Sequence, residues 1–360
     1  DDDDVSYSLT GTDASSFSIS ASGVLTFRSA PDHESRSSYT VTINVSDGTY
    51  TTGHALTVTV TDVNEAPTSV SLSATSIAEN APGASVGTVS GTDPDSNDTL
   101  SYSLSGADAE SFELSETTVK LKTSISADYE AKSAYAINVT ATDSGGLSKR
   151  QAFTVIVTNL NEAPSGLTLS ATSMVENTAG VTVGTLSVAD PEGIAGISYT
   201  LSGADAAVFE VVDATLKLLD TESADYETKA SYAVTITATD TGGLSTSADA
   251  AVGVTDINEA PSTPTLSAST VTENEAGTTV GTLSSTDPEG DTVSYSLSGT
   301  DATSFEIAGT TLKLKASVSA DYETKTSYAL TVTATDSGDL STDQAFTITV
   351  TNVNEAPTGL

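Results

Sequence analysis

Acidic motifs recur at nearly constant spacing along this 360-residue chain, and grouped carboxylates are its residues best suited to chemistry. The string Asn-Glu-Ala-Pro occurs four times, beginning at Asn64, Asn161, Asn258 and Asn354, so successive copies are 97, 97 and 96 residues apart. Two further motifs keep the same phase: Asp-Pro-Asp/Glu, which opens at Asp93, Asp190 and Asp287, and Asp-Tyr/His-Glu, which closes at Glu34, Glu130, Glu227 and Glu323. Hard cations prefer oxygen ligands such as carboxylates and carbonyls. The motifs therefore predict cation-binding sites that recur once per period.

The overall charge agrees with a cation as partner. Lys and Arg number 12 against 49 Asp and Glu, which gives a formal net charge of -37. Such a chain is a poor partner for nucleic acid or an anionic membrane surface. Crowded carboxylates also repel one another by several kcal/mol at about 4 Å and intermediate dielectric, so metal-free sites should loosen.

The sequence does not favour an enzyme. It contains no Cys, and its two His, His33 and His54, both lie in the first copy of the period. A nucleophile, base and acid set that recurs with the period is not found, so catalysis is not expected. We also find neither an 18-residue apolar stretch nor an opening secretion signal, and expect any signal or anchor outside this segment of a longer protein.

A period near one hundred residues fits a string of separate domains rather than a solenoid. The Ala of each marker gives the boundaries. We expect a partial repeat at 1–66, whole repeats at 67–163, 164–260 and 261–356, and the start of the next linker or repeat at 357–360. The partial copy lacks its first strands, so its fold should be incomplete at that edge.

Alternating apolar residues indicate strands within each repeat. Tyr232, Val234 and Ile236 share one face of a strand, with Thr235 and Thr237 on the other. The β-branched content, the Gly-containing turns and the lack of a helical stripe predict an all-β chain. About seven short strands per repeat suggest an immunoglobulin-like β-sandwich.

The chain resembles tandem cadherin repeats of the bacterial kind along essentially its whole length. The resemblance rests on the Val-Asn-Glu-Ala-Pro linker at 63–67, the Ser-Gly-Ala-Asp-Ala-x-x-Phe segment from Ser202 to Phe209, and the acidic motifs kept in register. It implies Greek-key sandwiches arranged as an extended, extracellular rod. It also implies calcium between successive domains, with two or three ions per linker.

The resemblance assigns ligands residue by residue to three junctions between repeats. The third junction, between the third and fourth repeats, would use Glu176, Asp225, Glu227, Asp256, the carbonyls of Ile257 and Ala260, Asn258, Glu259, Asp287, Glu289 and Asp336. The second would use Glu79, Asp128, Glu130, Asn159, Asn161, Glu162, Asp190, Glu192 and Asp240. The first would use Asp32, Glu34, Asp62, Asn64, Glu65, Asp93, Asp95 and Asp143.

Departures from the family pattern predict unequal junctions. Asn159 stands where Asp is expected, so the second junction should bind calcium more weakly. The first junction lacks the early Glu because its upper repeat is incomplete. After the fourth repeat, Glu273, Asp321, Glu323, Asn352, Asn354 and Glu355 can form only a partial site. Glu-Ala in the linker, where animal cadherins carry Asp-Asn, leaves the ion number open.

Simpler interpretations of these motifs explain the sequence less well. A solvated acidic face would not require recurrence every 97 residues. An EF-hand is excluded because the sixth and twelfth residues of a loop that begins with Asp93 are Asp98 and Leu104 rather than Gly and Glu. The recurring Tyr positions, including those inside Asp-Tyr-Glu, favour the core. Three further aspartates are interpreted as turn or helix-cap residues: Asp108, Asp205 and Asp301.

The sequence is compatible with two functions. The first is a structural stalk segment of a large bacterial surface or secreted adhesin, in which calcium at the linkers makes the rod rigid. The second is a binding module with a homophilic or polysaccharide partner, or another cell surface. Exchange of an N-terminal Trp strand is not expected because the chain has no Trp. An exposed aromatic or apolar patch confined to one repeat would favour the second function.

Overall fold

The computed structural model describes residues 4–356, so the expected start of a further repeat at 357–360 lies outside the described residues. Its regular structure is β-strand, apart from four single-turn 3-10 helices at Ala14–Ser16, Ala109–Ser111, Ala206–Val208 and Ala302–Ser304. The chain divides between Asn161 and Glu162 into a first and a second unit. Within residues 4–356, no helix is long and apolar enough to cross a membrane.

The first repeat is a partial sandwich. Its strands are β1 (Ser6–Thr10), β2 (Phe17–Ile19), β3 (Leu25–Phe27), β4 (Ser38–Ser46) and β5 (Thr51–Thr59). They form a three-stranded sheet in the order β1-β4-β5 and a separate hairpin of β2 and β3. Only Phe17 and Val41 are buried hydrophobic residues among those described here. The described strands of this repeat therefore share only a small core.

The second repeat, in the first unit, is a complete sandwich of two four-stranded sheets. Its strands are β6 (Ser69–Leu72), β7 (Ser76–Ala78), β8 (Ser85–Thr92), β9 (Ser101–Ser105), β10 (Phe112–Ser115), β11 (Thr118–Leu121), β12 (Ala134–Thr142) and β13 (Ser148–Thr158). The sheet orders are β10-β11-β8-β6 and β7-β13-β12-β9. β6 and β7 belong to different sheets although three residues separate them, so they act as one split strand and the predicted count of about seven holds.

The second unit repeats this topology twice. The third repeat contains β14 (Ser165–Leu169), β15 (Ser173–Val175), β16 (Thr182–Ala189), β17 (Ser198–Ser202), β18 (Phe209–Val212), β19 (Thr215–Leu218), β20 (Ser231–Thr239) and β21 (Ser245–Thr255). The fourth contains β22 (Thr265–Leu266), β23 (Thr270–Thr272), β24 (Thr279–Ser284), β25 (Ser294–Ser298), β26 (Phe305–Ala308), β27 (Thr311–Leu314), β28 (Ser327–Thr335) and β29 (Ser341–Thr351). In both, the second short strand pairs in parallel with the last strand of the repeat.

Alternation places the core as predicted. On β20, Val234 and Ile236 are buried, and Tyr232 meets Phe209 edge to face at 5.7 Å between ring centroids. Such aromatic pairs stabilise a sandwich beyond the apolar area they bury. The prediction that the Tyr of Asp-Tyr-Glu also lies in the core is wrong for two copies, since Tyr129 and Tyr226 are 37% and 38% exposed.

The third repeat is packed less fully than its neighbours. Phe153 and Phe346 pack against the cores of the second and fourth repeats, whereas the third repeat has Ala250 at the same position of the last strand. A groove of about 460 Å³ lies beside Ala250, and Leu167 and Ile236 contribute to its wall. Removal of a large side chain explains the groove, because surrounding residues relax only in part.

The aspartate before each 3-10 helix joins distant parts of its repeat and does not cap the helix with its side chain. Asp205 makes no side-chain cap hydrogen bond. Its carboxylate accepts a 2.7 Å hydrogen bond from the backbone N–H of Ala233 and forms an ion pair with Lys229. Lys229 in turn lies 4.7 Å from the ring centroid of Tyr232. Equivalent ion pairs join Asp13 to Arg36, Asp108 to Lys132 and Asp301 to Lys325.

Candidate metal centres at the repeat junctions

A buried glutamate directly follows the second short strand of each complete repeat. Glu79, Glu176 and Glu273 are only 2%, 1% and 1% exposed. Glu176 accepts 2.6 Å hydrogen bonds from the backbone N–H groups of Tyr226 and Ile257. A buried carboxylate requires such donors or a cation, because its desolvation is costly. The glutamate thereby ties the Asp-Tyr-Glu turn and the linker to the end of its repeat.

The third junction lies wholly within the second unit and gathers carboxylates from both repeats. One carboxylate oxygen each of Glu176, Glu227 and Glu259 lies within 4.8 Å of the other two. The backbone N–H of Glu259 donates to Glu289 Oε1 at 3.0 Å. Asp287 opens the same motif as Glu289, so the predicted ligands Glu176, Glu227, Glu259, Asp287 and Glu289 belong to one acidic centre.

The linker asparagine joins this centre to the fourth repeat. The amide nitrogen of Asn258 donates to Asp336 Oδ2 at 2.9 Å, while the N–H of Leu340 donates to Asp336 Oδ1 at 2.8 Å. A Cβ atom on Gly338 would lie 2.8 Å from the Asn258 side chain. Glycine here therefore lets the side chain of Asn258 approach closely, and a larger residue would displace it.

Electrostatics at the third junction favour a bound cation. The hydrogen bond from Asn177 lowers the pKa of Glu259, but contact with the Glu289 carboxylate, burial and nearby negative charges together raise it to about 7. Partial desolvation chiefly raises the pKa of Asp287 and of Glu227, and the charges of neighbouring carboxylates add to it. Like charges in one site disfavour joint ionisation unless a cation compensates them.

Several carboxylate oxygens in these centres are buried without a hydrogen-bond donor. Within residues 4–356 they are Asp93 Oδ2, Asp98 Oδ2, Asp190 Oδ2, Glu259 Oε2, Asp287 Oδ2 and Glu289 Oε2. In each predicted Asp-Pro-Asp/Glu motif the other oxygen of the first Asp accepts a backbone N–H. Native buried polar atoms normally have partners. These atoms and their all-oxygen surroundings therefore fit a hard divalent cation.

The first junction is less complete. One oxygen each of Glu34, Asp62, Glu65 and Asp95 lies within 4.8 Å of the others. His33 Nδ1 lies 2.9 Å from Glu34 Oε1 and 3.5 Å from Asp62 Oδ2. The hydrogen bond to Glu34 raises the pKa of His33, and partial desolvation raises that of Glu65.

The first linker nevertheless contacts the second repeat as the third does the fourth. Asn64 donates to Asp143 Oδ2 at 3.0 Å, and the N–H of Glu65 donates to Asp95 Oδ2 at 3.0 Å. Asp32 instead has both oxygens engaged by Ser35, at 3.1 and 2.9 Å. Each oxygen keeps a second lone pair, so these hydrogen bonds are compatible with the predicted role of Asp32 as a ligand.

The predicted ligands of the second junction are distributed over both units. In the first unit, the amide nitrogen of Asn159 donates to Glu130 Oε1 at 3.0 Å, and the N–H of Ala131 donates to Asp128 Oδ1 at 2.7 Å. Glu79 accepts hydrogen bonds from the backbone N–H groups of Tyr129 and Leu160. Asn161 is the last residue of that unit. In the second unit, Glu162 N–H donates to Glu192 Oε2 at 3.4 Å, and Leu244 N–H to Asp240 Oδ1 at 2.9 Å.

The remaining predicted ligands of the third junction are more exposed. Asp225 accepts the N–H of Thr228 at 2.8 Å and keeps its other oxygen for a ligand. Asp256 and Ala260 are exposed, and Ile257 is 46% exposed. No contact tests the proposed carbonyl ligands Ile257 and Ala260 within the described residues, so these two stay predictions.

Sequence reasoning missed one acidic residue of the first junction. Asp98 has a carboxylate oxygen within 4.8 Å of Asp93 and Asp95, and Ser144 donates to its other oxygen at 2.5 Å. Asp291 and Ser337 make the equivalent pair in the fourth repeat. Ile194 stands in this loop of the third repeat, and the loops differ in length, so register alone did not reveal the position.

Comparison with known proteins identifies the repeats. The cadherin domain family matches residues 73–158 and 267–351. Protocadherin Fat 4 of Mus musculus is 32% identical over 90% of this chain, which spans 7% of that protein. Protocadherin gamma-A3 of Pan troglodytes is 30% identical over 92% of this chain, which spans 39% of it. These relatives are animal proteins, and the predicted bacterial origin stays a prediction.

Solved structures show the same fold. The protocadherin gamma B4 extracellular domain matches with a TM-score of 0.63 and 23% identity, covering 96% of this chain and 60% of that one. Extracellular cadherin domains 1–4 of protocadherin gamma B7 match with a TM-score of 0.62 and 23% identity, covering 97% and 92%. The likeness supports the predicted extracellular location, and cadherin domains are structural and adhesive modules rather than enzymes. From its motifs, its fold and these matches, the chain is a tandem array of cadherin-like repeats.

Proposed function

We propose that this chain is a calcium-binding structural segment of an extracellular adhesive protein, in which cations at the linkers fix each repeat relative to the next. The observation that carries the proposal is the set of buried carboxylate oxygens without hydrogen-bond donors, clustered where linker and repeats meet. A binding surface of solvated acids would leave these oxygens in water. Burial without donors is costly, and a cation removes that cost.

The donor set favours calcium among the common cations. It consists of carboxylates, amides and carbonyls, with no Cys anywhere and His33 as the single imidazole in the centres described. Zinc sites are usually built from Cys and His, whereas calcium accepts six to eight oxygens in flexible geometry. We propose two or three ions per complete linker, bound by the residues named above for each junction.

Rigidity would follow from charge compensation. Without a cation the carboxylates of Glu227, Glu259 and Glu289 repel one another, which favours a looser linker. A cation bound to the folded arrangement stabilises it by linkage. The repeats themselves, bounded at residues 66, 163, 260 and 356, would then act as successive rigid elements of a rod.

The parent protein is proposed to be a large surface or secreted adhesin, in which this segment is stalk. The Val-Asn-Glu-Ala-Pro linker at 63–67 and the Ser-Gly-Ala-Asp-Ala-x-x-Phe segment favour a bacterial parent. The adhesive ligand would then be bound elsewhere in that protein. This segment would position it at a distance from the cell.

Thermal melting tests the proposal directly. The chain would be melted in chelator, in a few millimolar calcium and in equal magnesium, with circular dichroism as the readout. We expect calcium to raise the melting temperature by at least several degrees and magnesium to do less, because magnesium demands smaller, near-octahedral sites. Identical melting in all three solutions would overturn the calcium proposal and favour a homophilic or polysaccharide-binding module.

A further inference from the structure

The residue after each buried glutamate is an asparagine with an unusual backbone conformation. Asn80, Asn177 and Asn274 have φ values of 58°, 58° and 67°. This left-handed region is uncommon for residues other than Gly, and Asn tolerates it better than most. The backbone N–H of Asn177 donates to the carbonyl oxygen of Ala224 at 2.9 Å, and Asn274 makes the same bond to Ala320. The turn therefore aims the asparagine side chain away from the strand that precedes it.

The side chain of this asparagine reaches the glutamate of the linker. The amide nitrogen of Asn177 donates to Oε1 of Glu259, which lies 82 residues later. Asn274 donates to Oε1 of Glu355 in the same way, 81 residues later. Residues 4–356 contain no repeat after Glu355, so the second pair forms without one. The contact is thus a property of the preceding repeat and its own linker.

The two carboxylate oxygens of Glu259 have different surroundings. Oε1 is held by Asn177, whereas Oε2 is buried and receives no hydrogen bond within the described residues. Glu259 also belongs to the cluster of carboxylates that it forms with Glu176 and Glu227. A donor on one oxygen restricts the rotation of the side chain and leaves the lone pairs of the other oxygen for a cation.

We infer that Asn177 is a positioning residue, which orients Glu259 toward the acidic centre before a cation binds. This rests on the proposed function, since the cation of that centre is its object. Asn177 supplies a donor without adding charge to the site. Aspartate at 177 would tolerate the same backbone but would place a carboxylate against Glu259.

The test separates the side chain from the turn. Asn177→Gly keeps the left-handed backbone and deletes the amide, since Gly adopts positive φ without steric cost. Asn274→Gly makes the identical change beside the linker that follows the fourth repeat. Calcium would be titrated into the 360-residue chain and each variant, with the ¹H–¹⁵N amide resonance of Ile257 as the local reporter of the third junction.

We expect N177G to weaken calcium binding at the third junction roughly tenfold, as loss of one charge-assisted hydrogen bond allows. N274G should leave that junction unchanged, and Asn177→Asp should weaken it more than N177G. Equal affinities of N177G and the parent chain would reduce Asn177 to a turn residue. Tighter binding by N177D would make residue 177 a ligand and would also overturn the inference.

A second readout needs no metal. In chelator, the side-chain amide protons of Asn177 should exchange slowly in the parent chain and rapidly in Glu259→Gln. If the parent chain did not bind calcium, the proposed function would fail while this exchange experiment still decided the contact. Rapid exchange in the parent chain would contradict the positioning role whatever the calcium result.

Discussion

The first and third junctions use the same linker contacts but differ in what precedes them. In both, the linker asparagine binds the Asp of the following repeat, at 3.0 Å for Asn64 and 2.9 Å for Asn258. The third junction adds the buried Glu176, which accepts two backbone N–H groups from its own repeat and linker. No residue between Asp4 and Asp62 takes that place at the first junction, and the described strands of its first repeat begin at Ser6.

The difference shows that each centre is assembled mainly from the repeat before it. The buried glutamate, the Asp-Tyr-Glu turn and the linker all belong to that repeat. The repeat that follows supplies two further contacts, through its Asp-Pro-Asp/Glu motif and its late Asp. Loss of the buried glutamate should therefore weaken the junction that follows a repeat, even where the linker sequence is intact.

The largest effect is expected from removing the buried anchor of the third junction. Glu176→Gln replaces a carboxylate that accepts two N–H groups by an amide that can accept through one oxygen only. We expect calcium affinity at this junction to fall about 100-fold or more, since two charged hydrogen bonds and a ligand charge are lost. Calorimetric titration would measure the affinity of the third junction. Glu273→Gln, the same change in the fourth repeat, is the matched control. Equal losses in both variants would show a general folding defect.

A charge change in the linker should have an intermediate effect. Asp256→Asn gives the third junction the amide that the second has at Asn159, and we expect roughly a threefold to tenfold loss of calcium affinity. The reciprocal Asn159→Asp should strengthen the second junction by a similar factor. Titrations followed by the amide resonances of each linker would separate the two. If neither variant altered calcium affinity, charge would not explain a difference between the second and third junctions.

Filling the groove of the third repeat tests whether calcium affinity at the third junction depends on packing of the core. Ala250→Phe restores the residue of the neighbouring repeats and should stabilise the third repeat by about 1 kcal/mol. Phe346→Ala should destabilise the fourth repeat by about 2 kcal/mol or more, as a cavity forms. Urea unfolding in saturating calcium would measure both. A changed calcium affinity in A250F would contradict the separation of core from site.

The Asp–Lys pairs should give a small acid sensitivity that does not depend on the junctions. The hydrogen bond from Lys229 and the N–H of Ala233 lower the pKa of Asp205. A lowered pKa in the folded state contributes stability above the unfolded pKa of about 4, and that stability is lost as the pH falls through the folded value. Asp205→Asn should therefore lower the melting temperature by a few degrees at pH 6 and by less at pH 2.

Asp13 offers the matched variant in the first repeat, where Arg36 replaces Lys and the pKa of Asp13 is also lowered, first by the N–H of Thr40. Asp13→Asn should show the same pH trend. If either substitution lowered the melting temperature equally at pH 6 and at pH 2, the ion pair would not be the source of the acid sensitivity.

The smallest effect is expected at His33. His33→Tyr restores the residue of the other Asp-Tyr-Glu motifs and removes the contacts of His33 with Glu34 and Asp62. We expect less than a threefold change in calcium affinity at the first junction, because exposed ion pairs contribute little. A titration that brought this junction to the affinity of the third would show that the buried glutamate is not the decisive difference.

Sequence reasoning succeeded where information is local or repeated. The alternation on β20 placed Val234 and Ile236 in the core, and the motif register gathered Glu176, Glu227 and Glu259. It failed where a role depends on a distant partner. Asp205 was assigned to a turn or helix cap because its partner Lys229 lies 24 residues later, beyond the strands β18 and β19.

Two other features depend on differences between copies. The groove beside Ala250 becomes apparent only when the missing phenyl ring is placed in space against β14 and β20. The role of Asn177 requires that a turn and a linker 82 residues apart be brought together by the parallel pairing of β15 with β21. Neither the pairing nor the left-handed turn can be read from spacing alone.

Small-angle X-ray scattering in a few millimolar calcium and then in excess chelator tests the central claim most directly. If calcium at the linkers fixes successive repeats, the calcium form should scatter as a long, stiff particle, and chelation should make it flexible and variable in dimension. The change should be reversed when calcium is restored. Identical scattering profiles in calcium and in chelator would contradict the claim that these acidic centres hold the repeats in place.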